Sequence, residues 1–161
     1  MENELLVKMV LSAWQSQNKR IEKLLDKLSD EQLEAEVAPG RNRGIYLLGH
    51  IATVSDMMLP LLDLGAPLKP EFQALFVTVP DRAVGELPPV SELRNYWNEV
   101  NASLDAHFAK MTPDQWLAKH TAASEEDFKK EPHRNKLNII LSLTVHQAYH
   151  FGQMAFLQSK S

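Results

Sequence analysis

Apolar residues recur along this chain at steps of three and four, the period of helices that press one face against a core. From residue 3 to 28 the stripe runs Leu6, Met9, Ala13, Gln17, Ile21, Leu24 and Leu28, with Lys19, Arg20, Glu22, Lys23, Asp26 and Lys27 off it. Ser29-Asp30-Glu31 offers a cap for a short second turn, SDEQLEAE, which stops at Pro39-Gly40. A second long helix is predicted from about 43 to 62, its stripe carrying Leu47, His50, Ile51, Val54, Met58 and Leu61. Pro60 is placed to kink its last turn. Pro88 and Pro89 disfavour helix before Ser91, which becomes the predicted N-cap of a third helix with Leu93, Trp97, Val100, Leu104, Phe108 and Met111 on its buried face. Thr112-Pro113-Asp114 opens another short turn. A polar stretch from His120 to Lys136 then leads to a fourth helix over 137–158, with Ile139, Leu143, His146, His150, Met154 and Leu157 in register.

Strand signals are thin. FVTV at 76–79 is the one β-like run, and Pro80 ends it. Four long amphipathic helices without strands predict an all-α four-helix bundle in a single domain spanning 1–161. Residues 63–90 carry five prolines and two glycines and read as a connection, with one turn of helix around Glu71 to Phe76. Antiparallel neighbours in a bundle need only about 2–8 linking residues, so a connection of 28 residues can return the chain along the bundle. Helices two and three are then parallel, and helices two and four antiparallel. At about 1.5 Å per residue, His50 lies roughly 10 Å from the start of helix two and His150 roughly 12 Å from the end of helix four. The depths match.

Composition narrows the function classes. A formal charge of −4 gives no general basic face for nucleic acid or an anionic membrane. The absence of cysteine removes disulfides, thiolate ligands and a cysteine nucleophile together. The N-terminal stretch lacks a basic n-region with an unbroken apolar run, and no window approaches the apolar length of a membrane span, so the expected compartment is the cytoplasm.

HQAYH at 146–150 sets two imidazoles four residues apart, about 40° of rotation and about 6 Å of rise, so both rings can reach one ion. Both lie on the apolar stripe, as does His50 on another helix. Three neutral imidazoles from two helices suit a divalent transition metal such as zinc or nickel and leave a position for water or substrate. For His50 taken alone, the competing reading is a core histidine satisfied by one hydroxyl or carbonyl. A zincin reading fails, because Gln147 stands where the HExxH motif has its glutamate base.

GHIATVSDMM around His50 and LTVHQAYHFGQMAFLQ around His146 and His150 resemble the DinB-like superfamily, over the chain from helix one to the end of helix four. The resemblance implies a four-helix bundle with an unusual connection order and a metal site on His50, His146 and His150, the set that the helix geometry also picks. Several relatives are thiol S-transferases or isomerases that use bacillithiol, mycothiol or glutathione, and relatives often form dimers. The resemblance therefore implies a small-molecule substrate, a low-molecular-weight thiol and a homodimer. Relatives often carry Glu at the position of Gln147 and Arg at that of Phe151, departures that bear on the substrate and leave the ligands untouched.

Lesser candidates surround this set. Gln153, one turn past His150, can orient a ligand or the metal-bound water, or can serve an interhelical contact. Tyr149 can donate into the site or pack between helices, and Gln17 is a polar interruption of the first stripe that can point toward it. Trp14, Tyr96 and Trp97 read as core. Arg41 and Arg43 at the start of helix two suit an anionic group or a solvated turn. Lys129, Lys130, His133, Arg134 and Lys136 read as exposed loop, and His107, His120 and His133 lack partners at ligand spacing. Asp56 and Asp63 are off the histidine stripe, so no carboxylate base accompanies it. The rival reading is a non-catalytic, stress-associated metal-binding bundle, and a third is a metal-free bundle that pairs with itself. An apolar pocket beside the ion favours an enzyme; a sealed site favours structure.

Overall fold

A computed structural model describes residues 1–83 and 85–158, and among them the fold is all-α, with two isolated bridges in place of any strand. Four long helices, α1 (Glu2–Lys27), α3 (Gly44–Asp56), α5 (Val90–Phe108) and α8 (Lys136–Met154), pack together. Four short ones, α2 (Asp30–Glu34), α4 (Met58–Leu61), α6 (Pro113–Leu117) and α7 (Glu125–Lys130), occupy the connections.

Local chemistry sets most of the ends. Ser29 and Thr112 each close a reciprocal capping box, with Gln32 and Gln115 at the third helical position. α5 begins earlier than expected: Pro89 is its cap, extended at φ −61° and ψ 151°, and its carbonyl accepts from the amides of Glu92 and Leu93. Ser91 is therefore inside the first turn. The polar stretch from His120 to Lys136 contains α7, capped by the Ser124 hydroxyl, which periodicity had no apolar stripe to reveal. The fourth helix ends at Met154 and finishes as a single tight turn, Ala155–Leu157.

The first stripe is rotated over its N-terminal half. Leu6 and Met9 are 47% and 63% exposed, and Ala13 is exposed, while Val7 and Trp14 are buried. Apolar residues flank both sides of α1 there, and the face bearing Trp14 wins because its ring packs edge-on against Phe108 with centroids 5.0 Å apart.

The predicted helix over 43–62 breaks at Met57 into α3 and α4. α3 is the central helix, packed on α5, α8, α2 and the crossover. By length and composition Gly44–Leu61 could cross a membrane, a correction to the sequence reading, yet 72% of it is buried inside the protein. Gly44 makes that depth possible: a Cβ there would lie 2.8 Å from the Leu33 carbonyl oxygen and 2.5 Å from Leu157.

Helix directions follow from paired contacts. Trp14 meets Phe108, Asn18 bonds Asn101 and the Leu28 carbonyl accepts from Arg94, so α1 and α5 are antiparallel. Gly44 abuts Leu157, His50 meets His146 and Ser55 bonds Gln147, so α3 and α8 are antiparallel as expected. Leu6 and Val10 share a hollow with Leu137 and Leu141, and Gln32 reaches the Leu157 carbonyl, so α1 and α8 are parallel. Those three relations make α3 and α5 parallel, the arrangement that the long crossover permits.

The crossover is pinned at three depths. The buried Asp56 carboxylate accepts from the amides of Leu68 (2.8 Å) and Lys69 (3.0 Å) and from the Tyr96 hydroxyl (2.7 Å). Ala74–Thr78 forms one π-helical turn, overlapping the run read as β-like and lying slightly past the turn expected around Glu71 to Phe76. Beyond it, the Asp81 carboxylate, 4% exposed, takes both Nε and Nη2 of Arg43 and the Arg43 amide.

Candidate metal centre

α3 and α8 run side by side in opposite directions, and each turns a histidine-bearing stripe toward the other. His50 Nε2 lies 3.1 Å from His146 Nε2, which lies 3.0 Å from His150 Nε2. One ligand atom from each of the three falls within 4.8 Å of the others. His150 is buried, and His50 and His146 are half-buried. The structure thus brings together all three residues that the sequence singled out.

The opposite side of each ring decides what the cluster can hold. His50 Nδ1 sits 2.7 Å from the carbonyl oxygen of Phe76. A carbonyl only accepts, so Nδ1 carries the proton and Nε2 presents a lone pair. His150 Nδ1 sits 2.7 Å from Gln153 Oε1, and the Gln153 amide donates to the Tyr149 hydroxyl at 3.3 Å, which fixes the same tautomer. Of the two readings open to Gln153, the contact it makes is to His150 on its own helix. Tyr149, 64% exposed, supports Gln153 and donates nothing toward the cluster. His146 Nδ1 is buried without a partner.

Burial, then the nearby rings of His150 and His50, pushes the His146 pKa down to about 4. Burial also lowers that of His150, against the raising effect of the Gln153 bond, with His50 lowering it further. Neutral imidazoles are the metal-binding form. With two lone pairs fixed, at most one Nε2 proton can be shared among three nitrogens that lie within 4.8 Å of one another, and a cation satisfies all three. Tetrahedral ligands at about 2.0–2.1 Å from zinc stand roughly 3.3 Å apart, close to the 3.1 Å and 3.0 Å that separate His146 Nε2 from those of His50 and His150. The donor set fits a divalent ion.

Residues invisible to periodicity position His50. Tyr46, one turn earlier on α3, stacks beside its ring with planes 14° apart and donates to the Val79 carbonyl at 2.7 Å. Phe76 is fully buried against Gly49, where there is no room for a Cβ. Arg43 is committed to Asp81: burial opposes ionisation of that carboxyl, but the Arg43 bonds outweigh it and hold its pKa below the ordinary value. Arg43 is thus no anion receptor, a correction to one of its two sequence readings, while Arg41 is exposed.

The remaining candidates lie elsewhere. Gln17 is buried with an unpartnered Nε2 and makes no hydrogen bond to the cluster. Gln147 is fully buried and donates to Ser55 Oγ at 3.2 Å, away from the imidazoles. Trp14, Tyr96 and Trp97 are core. Lys130 and Arg134 pair with acids of their own segment, Glu126, Asp127 and Glu131. Asp56 is occupied by Tyr96 and two amides, so it is no free base.

A shallow apolar groove of about 260 Å³ opens directly beside His146, between α3–α4 and α8. A search of curated proteins finds no match. Residues 13–154 match the DinB superfamily. With that match over most of its length and a helical fold that brings three histidines together, the chain belongs to the DinB superfamily.

Proposed function

We propose that this chain is a metal-dependent enzyme in which His50, His146 and His150 hold one divalent transition metal and a low-molecular-weight thiol is transferred to a small electrophile. One observation carries the reading: the three Nε2 atoms converge beside an apolar groove, where a purely structural site would be sealed. His50, His146 and His150 would hold the ion, which would supply Lewis acidity to lower the pKa of a thiol. In the proposed transfer the thiol sulfur would bond to the electrophilic carbon, the leaving group departing with its electron pair and the thiol proton passing to solvent. The thiol comes from a cosubstrate, since the chain has no cysteine.

The residues supply the rest. Phe76 O and Gln153 Oε1 keep His50 and His150 in the tautomer that presents Nε2. The apolar walls of the groove lower the local dielectric and exclude water from the reacting atoms.

Elemental analysis of the purified chain tests the metal. The expected result is about one equivalent of a transition metal, with a sharp loss in His146→Ala. Unchanged metal content in that variant rejects the site. Turnover of electrophiles with bacillithiol, mycothiol or glutathione tests the reaction. A metal-loaded protein inactive with every thiol overturns the transferase reading and leaves a metal-binding bundle.

A further inference from the structure

The two stripes that carry the histidines do not stop at them. Beyond His50 the positions on the same face are Val54, Met58 and Leu61, at steps of four, four and three. Before His146 they are Leu143 and Ile139, at steps of three and four. Because α3 and α8 are antiparallel, both continuations run the same way along the seam, and together they form the walls of the groove. Its one polar lining residue besides His146 is Ser142, and no charged side chain contributes. Val54, Leu61 and Ile139 remain part-exposed, so apolar surface is still available to a ligand.

We infer that this groove is the specificity site for the electrophile and that it selects an uncharged apolar chain joined to the reacting carbon. The inference rests on the proposed metal reading and names the substrate class for that site. Length follows from two measures. At about 1.5 Å per residue, Met58 lies roughly 12 Å from His50 and Ile139 roughly 10 Å from His146. A volume of about 260 Å³ holds roughly eight groups of the size of a water molecule, at ~30 Å³ each. Charge is selected against for the same reason that chains are favoured: a carboxylate in this groove would lose its water with no donor but Ser142 to replace it.

A series of straight-chain alkyl hydroxamates, with two to ten carbons, probes the groove on the zinc-loaded full chain, because the hydroxamate takes the metal and leaves the alkyl arm to find its own path. Titration calorimetry should show affinity rising roughly threefold to fourfold per added methylene, the ratio that corresponds to about 0.8 kcal/mol per buried CH₂. The rise should level off near eight carbons, and a terminal carboxylate on the eight-carbon probe should abolish the gain. Ile139→Asp should flatten the series while leaving zinc content and two-carbon affinity unchanged. Ser142→Trp, at an exposed position in the groove lining, should likewise flatten the series by filling the groove.

Affinity independent of chain length in zinc-loaded protein overturns the groove assignment and leaves the metal reading standing, as does a length dependence that survives both variants. A wild-type chain that holds no metal overturns the parent reading and this inference with it. The two failures are separated by measuring zinc content before each titration.

Discussion

Gly49→Ala tests how the crossover holds the histidine cluster. A Cβ at this position would stand 2.5 Å from both Cδ1 and Cζ of the Phe76 ring, far inside contact distance. The ring is fully buried, with Phe72 edge-on at 5.5 Å and Tyr46 at 6.0 Å, so it cannot rotate away without disturbing both. Overpacking of this kind costs about 1–3 kcal/mol. For a domain of this size the melting temperature should fall by about 2–12 °C, at roughly 2–4 °C per kcal/mol. The function should suffer through the backbone, because the Phe76 carbonyl is the partner of His50 Nδ1 at 2.7 Å and shifts with its ring. Urea unfolding of metal-free protein reads the stability, and zinc titration against a competing chelator reads the affinity. Combining Gly49→Ala with Phe76→Leu, which shortens the obstructing ring, should cost less than the sum of the two single changes. Wild-type stability in Gly49→Ala, or strict additivity in the double variant, would refute the steric account.

Two further outcomes follow from the same geometry. Gln153→Ala removes the acceptor of His150 Nδ1 and should weaken zinc binding about 10- to 100-fold with little change in metal-free stability; unaltered affinity on chelator titration counts against the assigned role. Metal-free protein should lose stability in acid: His146 has its pKa lowered from 6.5 to about 4 in the fold, so between those values the unfolded chain binds the extra proton. The contribution is fully present above pH 6.5, and as pH falls toward 4 about 3 kcal/mol is lost at 1.36 kcal/mol per unit, so denaturant midpoints that hold steady or rise between pH 7 and pH 4.5 contradict it.

How much of this could be read from the chain depends on the range of the interaction. Steps of three and four place His146 and His150 on the buried side of one helix, and the same rule places His50 on another, because helical geometry is local and periodic. The crossover is legible as a proline-rich interval, and its length foretold the parallel pairing of α3 and α5. What holds it down was not legible. The partner of His50 is a backbone carbonyl 26 residues away, and every residue has one. Arg43 and Asp81, 38 positions apart, are ordinary surface residues in sequence and become a partner pair only when the crossover folds back. The N-terminal half of α1 misleads for a different reason: Leu5, Leu6, Val7, Met9, Val10 and Leu11 allow two faces, and only the tertiary demand of Trp14 chooses between them.

The three imidazoles are also held unequally, and the inequality has a direction. His50 and His150 are each tethered through Nδ1, one to the crossover and one to its own helix, so their Nε2 lone pairs are fixed in tautomer and orientation. His146 has no such tether, its Nδ1 being buried and unpartnered, yet it is the ring that forms part of the groove wall. A buried nitrogen without a partner is a cost that calls for an explanation. The histidine without an Nδ1 partner is the one that lines the groove, an arrangement in keeping with the proposed binding site rather than with a sealed structural one.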